Sequence, residues 1–386
     1  MSITFSFMPI GTRVIIGAIG SVILLKDILL KNIDYDRKRR IFKIIKALAL
    51  IPIFSFVSII INDTNDLTYV KYFFSIVVIL GGAYLIYKRL RRENSYNIYS
   101  LTNMIALCVT LQLLISFAAY FIPSILELLM SIQNFHGDSL RTETSSEYRL
   151  IGVGSYTFFG AGLTNTIVLI LLVHEILNRR MSLRLFVGVT LMYAVIAIGG
   201  IFISRTTIIG ILMSVIMIIV NMKMSNYKMI LRIIGIIIIF IPIWYYINSL
   251  PNMSRMQEQA FEIVNNGSKY GDYSSSSTDQ LFEMYKRAPH TTHTFLIGDG
   301  YYYSESGYYY QNVDIGYYRL IYYFGVFGLL IYIYFQYVSV RQAIRSFPSL
   351  KRTLIFCFIA MLILNAKGTT DITYMIFLFL FNNTKA

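Results

Sequence analysis

The chain has 386 residues, of which 56% are apolar and 14% charged, and its mean hydropathy is +0.60. Apolar runs of about twenty residues recur along it, each long enough to cross ~30 Å of hydrocarbon; their continuous character excludes a soluble globular chain and the alternating strands of a membrane barrel. The formal charge of +14 does not point to nucleic acid, because the cations sit in short segments between the apolar runs.

In chain order, spans are predicted at 11–30, 47–62, 69–87, 98–123, 157–177, 185–203, 207–222, 230–248, 317–339, 353–366 and 372–383. This reads as an all-α polytopic membrane protein of about 11 (10–12) transmembrane helices, a single integral membrane domain over residues 1–386. Arg13 interrupts the apolar start of the chain, so a short first span would change the count by one. No basic n-region with a short apolar core and cleavage site is seen, and no cleaved signal peptide is expected. Cys108 and Cys357 both fall in apolar runs, so neither a disulfide framework nor a zinc site is expected.

The segments 31–46, 88–97, 178–184, 223–232 and 340–352 hold the basic clusters, such as Arg37, Lys38, Arg39 and Arg40, and are assigned to the cytoplasm. Counted over the whole chain, this topology puts 23 of the 34 Lys and Arg but 5 of the 20 Asp and Glu inside. The outer face therefore carries the acidic chemistry. Two outer loops are long, a first at 124–156 and a main one at 249–316. Within the main loop, Asn265 to Asp279, with its run from Ser274 to Ser277, reads as flexible linker. Residues 290–319 differ in kind: ten tyrosines fall between Tyr301 and Tyr323.

Four of the cations on the outer face, which positive charge normally avoids, stand out. Arg149 precedes the fifth span, Arg205 lies in the short SRTT turn, Arg319 opens the ninth span, and Lys367 lies in the turn NAKGTTD. Taken singly, each could snorkel to the interface. Together they suit a diphosphate, with the planar fork of Arg and the point charge of Lys facing its oxygens. Asp299 sits in GDG and Asp314 in DIGYYR, five residues before Arg319. A carboxylate at Asp314 is either a helix N-cap or a general base, or both. His290 and His293 could each take a proton at neutral pH. Their spacing resembles a metal pair, but no further ligand pattern accompanies it, and no metal is expected. Tyr322, Tyr323, Tyr332 and Tyr334 fit an interfacial belt. YYYSESGYYY lies in a polar loop and does not; Tyr301, Tyr302 and Tyr309 there, with Tyr317 beyond, offer flat apolar faces with hydroxyls that suit sugar rings. Gly325 and Gly328 lie within a span and suit close helix packing.

The stretch LIGDGYYYSESGYYYQNVDIGYYRLIYYFGVFG resembles the signature of bacterial O-antigen polymerases of the Wzy type: a G-x-G turn, then D-x-G-x-x-R, an aliphatic run and G-x-x-G. RLIGVGS, SRTTIIG and the late NAKG are also similar to that superfamily, which includes O-antigen ligase. The resemblance covers nearly the whole chain; the N-terminus departs from it by one span. It implies a membrane-embedded, GT-C-like glycosyltransferase fold in the bacterial inner membrane, with the main loop periplasmic. It implies joining of oligosaccharide repeat units carried on undecaprenyl diphosphate. Catalytic residues carried over are Arg205, Arg319 and Asp314 or a nearby histidine (His290, His293). Arg149, Lys367, Asp299, Tyr301, Tyr302, Tyr309 and Tyr317 are expected to bind substrate. The energy is stored in the donor, so no cofactor is expected. Expected partners are the lipid-linked donor and acceptor, membrane lipid and a polysaccharide chain-length regulator, with no nucleic acid. The rival readings are a ligase-like glycan transferase and a lipid-linked oligosaccharide flippase. A flippase would need a charged central cavity and short loops, whereas here the polar matter lies in the outer loops.

Overall fold

The computed structural model describes residues 11–132, 158–221, 261–270, 274–305 and 307–382, with residues 150, 153, 257 and 258 between them. In chain order the helices are α1 (Thr12–Leu29), α2 (Tyr35–Asn62), α3 (Thr68–Arg92), α4 (Ile98–Phe121), α5 (Pro123–Ile132), α6 (Phe158–Asn178), α7 (Leu183–Ile203), α8 (Thr207–Asn221), α9 (Glu262–Tyr270), α10 (Ser276–Tyr285), α11 (Thr292–Leu296), α12 (Gly316–Ser346), α13 (Lys351–Asn365) and α14 (Thr373–Ile376). Among the described residues there is no strand, only an isolated bridge between Tyr303 and Tyr309. Seven helical segments among the described residues are long and apolar enough to cross a membrane: α2, α3, α4, α6, α7, α12 and Pro348–Asn365, which leads into α13. The chain is an all-α, multi-pass membrane protein.

Of the eleven spans read from the sequence, seven coincide with these helices and four do not. The span expected at 11–30 is α1, but its 18 residues carry Arg13, Lys26 and Asp27. Asp27 is held within the protein by Lys88 Nζ (2.8 Å) and the Tyr84 hydroxyl (2.7 Å). The span at 207–222 is a 15-residue helix, α8. The span at 230–248 lies outside the described residues. The span at 372–383 is not a full helix: α14 has four residues and a 3-10 turn follows it (Phe377–Phe379). This segment is nevertheless buried, with Ile372, Phe377, Phe379 and Phe381 fully enclosed. Its backbone groups find partners among side chains, as irregular backbone at membrane depth must. Tyr96 donates to the Leu378 carbonyl (2.7 Å), the Phe381 amide donates to the Tyr96 hydroxyl (3.1 Å), and the Asn382 amide donates to Ser346 Oγ (2.8 Å).

The single domain expected over 1–386 resolves into two compact units. One comprises residues 1–12 and 97–275, the other 13–96 and 276–386. In the first, α4, α6, α7 and α8 pack together, and α6 is almost wholly enclosed from Ala161 to Ile176. Asn97 caps α4 by accepting from the Ser100 amide, and Ser182 caps α7 in the same way, as short polar side chains do at helix starts. The linker read at Asn265 to Asp279 contains the end of α9 and the start of α10. Of the loop 124–156, the described residues are those of α5 up to Ile132, with residues 150 and 153.

In the second unit α2, α3, α12 and α13 form the core, with α1 against α3. A Cβ on Gly20 would lie 2.1 Å from the Gly81 carbonyl oxygen, so these helices cross backbone to backbone. The feature that positions the site is a break in α12. Phe324 and Gly325 leave helical geometry, and Gly325 takes φ 68° and ψ −176°. The carbonyls freed by the break are satisfied by the GDG turn. The Asp299 amide donates to Tyr322 O (2.6 Å), the Gly300 amide to Tyr323 O (3.2 Å), and Ser58 Oγ also donates to Tyr323 O (2.7 Å). Gly325 is thus a backbone break that receives Leu296, whose carbonyl oxygen would lie 2.1 Å from an added Cβ. The close packing expected at Gly325 is thus present, but at a break in α12.

Candidate functional site

The site is built where the GDG turn meets the start of α12. The α2–α3 connection holds that turn from one side. Asn62 Nδ2 donates to the Gly298 carbonyl (3.0 Å) and Thr64 Oγ1 to the Gly300 carbonyl (3.1 Å). Asp66 Oδ2 accepts from the amides of Tyr302 (2.7 Å) and Tyr303 (3.4 Å). The tyrosine-rich stretch then doubles back: the Ser304 amide donates to Tyr308 O (2.8 Å) and the Tyr310 amide to Tyr302 O (3.1 Å). On the other side a small apolar cluster of Val313, Ile315 and Tyr322 packs against Leu281, Met284 and Tyr285 of α10. That contact explains why α10 is ordered helix rather than linker.

Arg319 lies one turn into α12 and is buried. Its Nη1 is 3.0 Å from Asp314 Oδ1, and its Nη2 donates to the Tyr302 hydroxyl. The guanidinium carbon lies 3.5 Å from the ring centre of Tyr309 and 4.3 Å from that of Tyr302, so the cation is walled by two aromatic faces. Its Nε is buried without a hydrogen-bond partner among the described residues. Asp314 is half-exposed, at 52% of its side-chain surface. The residue at the N-cap of α12 is Ile315, and no side chain caps this end. Asp314 therefore serves as the partner of Arg319 and not as a cap, and its carboxylate is presented to solvent from a fixed position.

The other expected residues divide. Tyr302 and Tyr309 wall Arg319. Tyr301 is exposed and stacks on Tyr310 (centroids 5.5 Å, 24° between planes), and Tyr303 stacks on Tyr309 (5.6 Å, 26°). Flat aromatic surface is thus presented, and Tyr309 of the second pair also faces Arg319. Asp299 is turned away from Arg319 and accepts from Thr294 Oγ1 (2.7 Å). The Tyr317 hydroxyl anchors α12 to the Leu362 carbonyl (2.6 Å). Lys367 lies in the turn after α13, and this turn abuts the start of α12, since a Cβ on Gly316 would lie 2.6 Å from the Gly368 carbonyl. His290 and His293 are exposed, and neither shares in the contacts around Arg319. Tyr322 and Tyr323, read as belt residues, are buried; their hydroxyls donate to the carbonyls of Arg287 and Asp66. Tyr332 is likewise buried and donates to Thr370 O (2.7 Å). Arg149 lies outside the described residues.

Arg205 belongs to the first unit. It pairs with Glu262 of α9 (3.0 Å) in a turn fixed by Ser204, Thr206 and Thr207. Asn165 Nδ2 donates to Thr207 Oγ1 (3.1 Å), seating the SRTT turn on α6.

Comparison with protein-family models, with curated proteins and with solved structures finds no match. The chemistry of the site therefore rests on its own residues.

Sequence reasoning missed Asn62, Thr64 and Asp66, which hold the GDG turn. The signal was present: NDTND at 62–66 is a dense polar run between two apolar helices. It also missed the network around Asp371, which accepts from Tyr72 (2.9 Å), Gln336 (2.9 Å) and Thr373 Oγ1 (2.6 Å). This carboxylate ties α3, α12 and the final segment together, and its donors come from positions too distant in sequence to be paired by inspection.

Burial pushes the Tyr302 phenol up to about 12, with the Arg319 charge opposing part of that rise. The folded protein then holds this proton more tightly than the unfolded chain, whose tyrosines titrate near 10. Stability contributed by protonated Tyr302 is fully present below pH ~10 and is lost as pH rises toward about 12. In alkaline unfolding scans, Tyr302→Phe is expected to lose less stability across that window than wild type. Identical curves would show that Tyr302 is not linked to folding.

Proposed function

We propose that this protein is an O-antigen polymerase of the Wzy type. It joins oligosaccharide repeat units carried on undecaprenyl diphosphate, at the periplasmic face of the bacterial inner membrane, within a GT-C-like membrane glycosyltransferase fold. The observation that carries the reading is the Asp314–Arg319 pair at the head of a broken span, flanked by stacked tyrosine faces. The acceptor is a sugar hydroxyl of one lipid-linked unit. Asp314 takes its proton as that oxygen attacks C1 of the donor glycan. The bond from C1 to the donor's diphosphate breaks, and undecaprenyl diphosphate leaves with the bonding electrons. Arg319 holds the Asp314 carboxylate in place; stacked tyrosines accept the sugar faces. Lys367, in the turn that abuts the start of α12, is the cation of this unit assigned to the developing charge on the diphosphate, and water exclusion makes such a contact stronger. A polysaccharide chain-length regulator is the partner expected alongside it.

The test is deletion of the gene in its native host, with the surface lipopolysaccharide resolved on a gel. Polymerase function gives core plus a single repeat in the deletion strain, with the ladder restored by wild type. Complete loss of O-antigen would assign ligase or flippase function, and an unchanged ladder would refute all three.

A further inference from the structure

The opposite end of the second unit carries a second concave feature. A cavity of about 340 Å³ lies between the first turns of α2 and the last turn of α12, lined by Asp36, Arg39, Arg40, Lys43, Gln342 and Arg345. Four cations thus face one carboxylate. Among the described residues neither Asp36 nor any of the four cations makes an ion pair. Arg40 is 94% buried, being 6% exposed. Its Nη2 donates to the Asn382 carbonyl (2.7 Å), while its Nε has no hydrogen-bond partner. Arg345 is held by Gln342 (3.2 Å). A basic segment at a helix end needs no explanation beyond topology, but a cavity that gathers unpaired guanidinium groups calls for an anion.

The same helix says which anion. Further along the same helix Ile53, Phe56, Val57 and Ile60 form an exposed apolar face, and Phe42, next to Lys43 in sequence, is exposed as well. Charge at one end and a lipid-facing apolar stripe below it match a phospholipid, with headgroup phosphate in the cavity and acyl chains along the helix. A free phosphate would use only the first half of this surface. We propose that this cavity is a binding site for an anionic phospholipid headgroup. The inference is independent of the polymerase reading.

The test uses the full chain in detergent and measures binding of phosphatidylglycerol, of phosphatidylcholine with the same acyl chains, and of inorganic phosphate. Arg39→Gln/Lys43→Gln is the variant, since neither side chain holds a hydrogen bond or ion pair among the described residues. Wild type is expected to bind phosphatidylglycerol saturably and phosphatidylcholine weakly. The double variant should bind phosphatidylglycerol about thirtyfold more weakly, at roughly fivefold for each charge removed, with an unchanged lipid-free Tm. Equal binding of phosphatidylglycerol by both proteins overturns the proposal. So does equal binding of the two lipids, or occupancy by inorganic phosphate with no gain from the lipid.

Discussion

Arg319→Lys is expected to lower glycan transfer by about 10²–10³-fold, although the charge is kept. The guanidinium makes three kinds of contact at once: Nη1 to Asp314, Nη2 to Tyr302, and its face against the Tyr309 ring. An ammonium is a point charge on a flexible stem; it cannot make a fork and a stacked plane together. Asp314 would then lose its fixed position while remaining half-exposed, so that folding suffers less than transfer. Asp314→Asn removes the proton acceptor, keeps the shape, and is expected to cost about 10²–10⁴-fold. Turnover and Tm measured on the same preparations separate the two effects. Arg319→Lys turnover close to wild type would show that the pair is only a structural tie.

Gly325→Ala should be the most damaging small substitution in the second unit. The residue sits at φ 68° and ψ −176°, a region open essentially to glycine alone. An added Cβ would also lie 2.1 Å from the Leu296 carbonyl oxygen and 2.3 Å from its carbon. Backbone strain and the clash together are expected to cost at least ~3 kcal/mol, read as a large fall in Tm or failure to recover folded protein. Because the break in α12 is what accepts the GDG turn, any protein recovered should also have lost Arg319 chemistry. Gly188→Ala is the control: it lies in α7 with nothing within 4 Å of an added Cβ, and a helical Gly-to-Ala change there is expected to be neutral or stabilising by up to ~1 kcal/mol. Similar Tm values for the two variants would contradict the broken-helix account.

Much of this was legible in the sequence because hydropathy reports length and burial of helices directly. The seven long apolar helices follow from it, as does the juxtaposition of Asp314 with Arg319 from their spacing of five at a helix entry. What was not legible depends on tertiary context. The final segment is as apolar as a span, yet it is irregular because Tyr96, Ser346 and Gln336 meet its backbone groups. The break at Gly325 looks like ordinary small-residue packing until Leu296 and the GDG turn are brought to it. Tyr317, Tyr322, Tyr323 and Tyr332 anchor carbonyls rather than line a surface, and composition cannot separate those from Tyr301 and Tyr303. The roles of Asn62, Thr64 and Asp66 depend on a contact across some 236 positions.

The most direct measurement is transfer by the purified full-length protein. Reconstituted in bilayers, it would be given synthetic undecaprenyl-diphosphate-linked repeat units and no nucleotide, with products resolved by chain length. Wild type should yield dimers and longer chains with undecaprenyl diphosphate released one for one, and Asp314→Asn should yield none above background. Folded wild-type protein that leaves the repeat units unjoined, or an Asp314→Asn protein that elongates them at the same rate, would contradict the assignment.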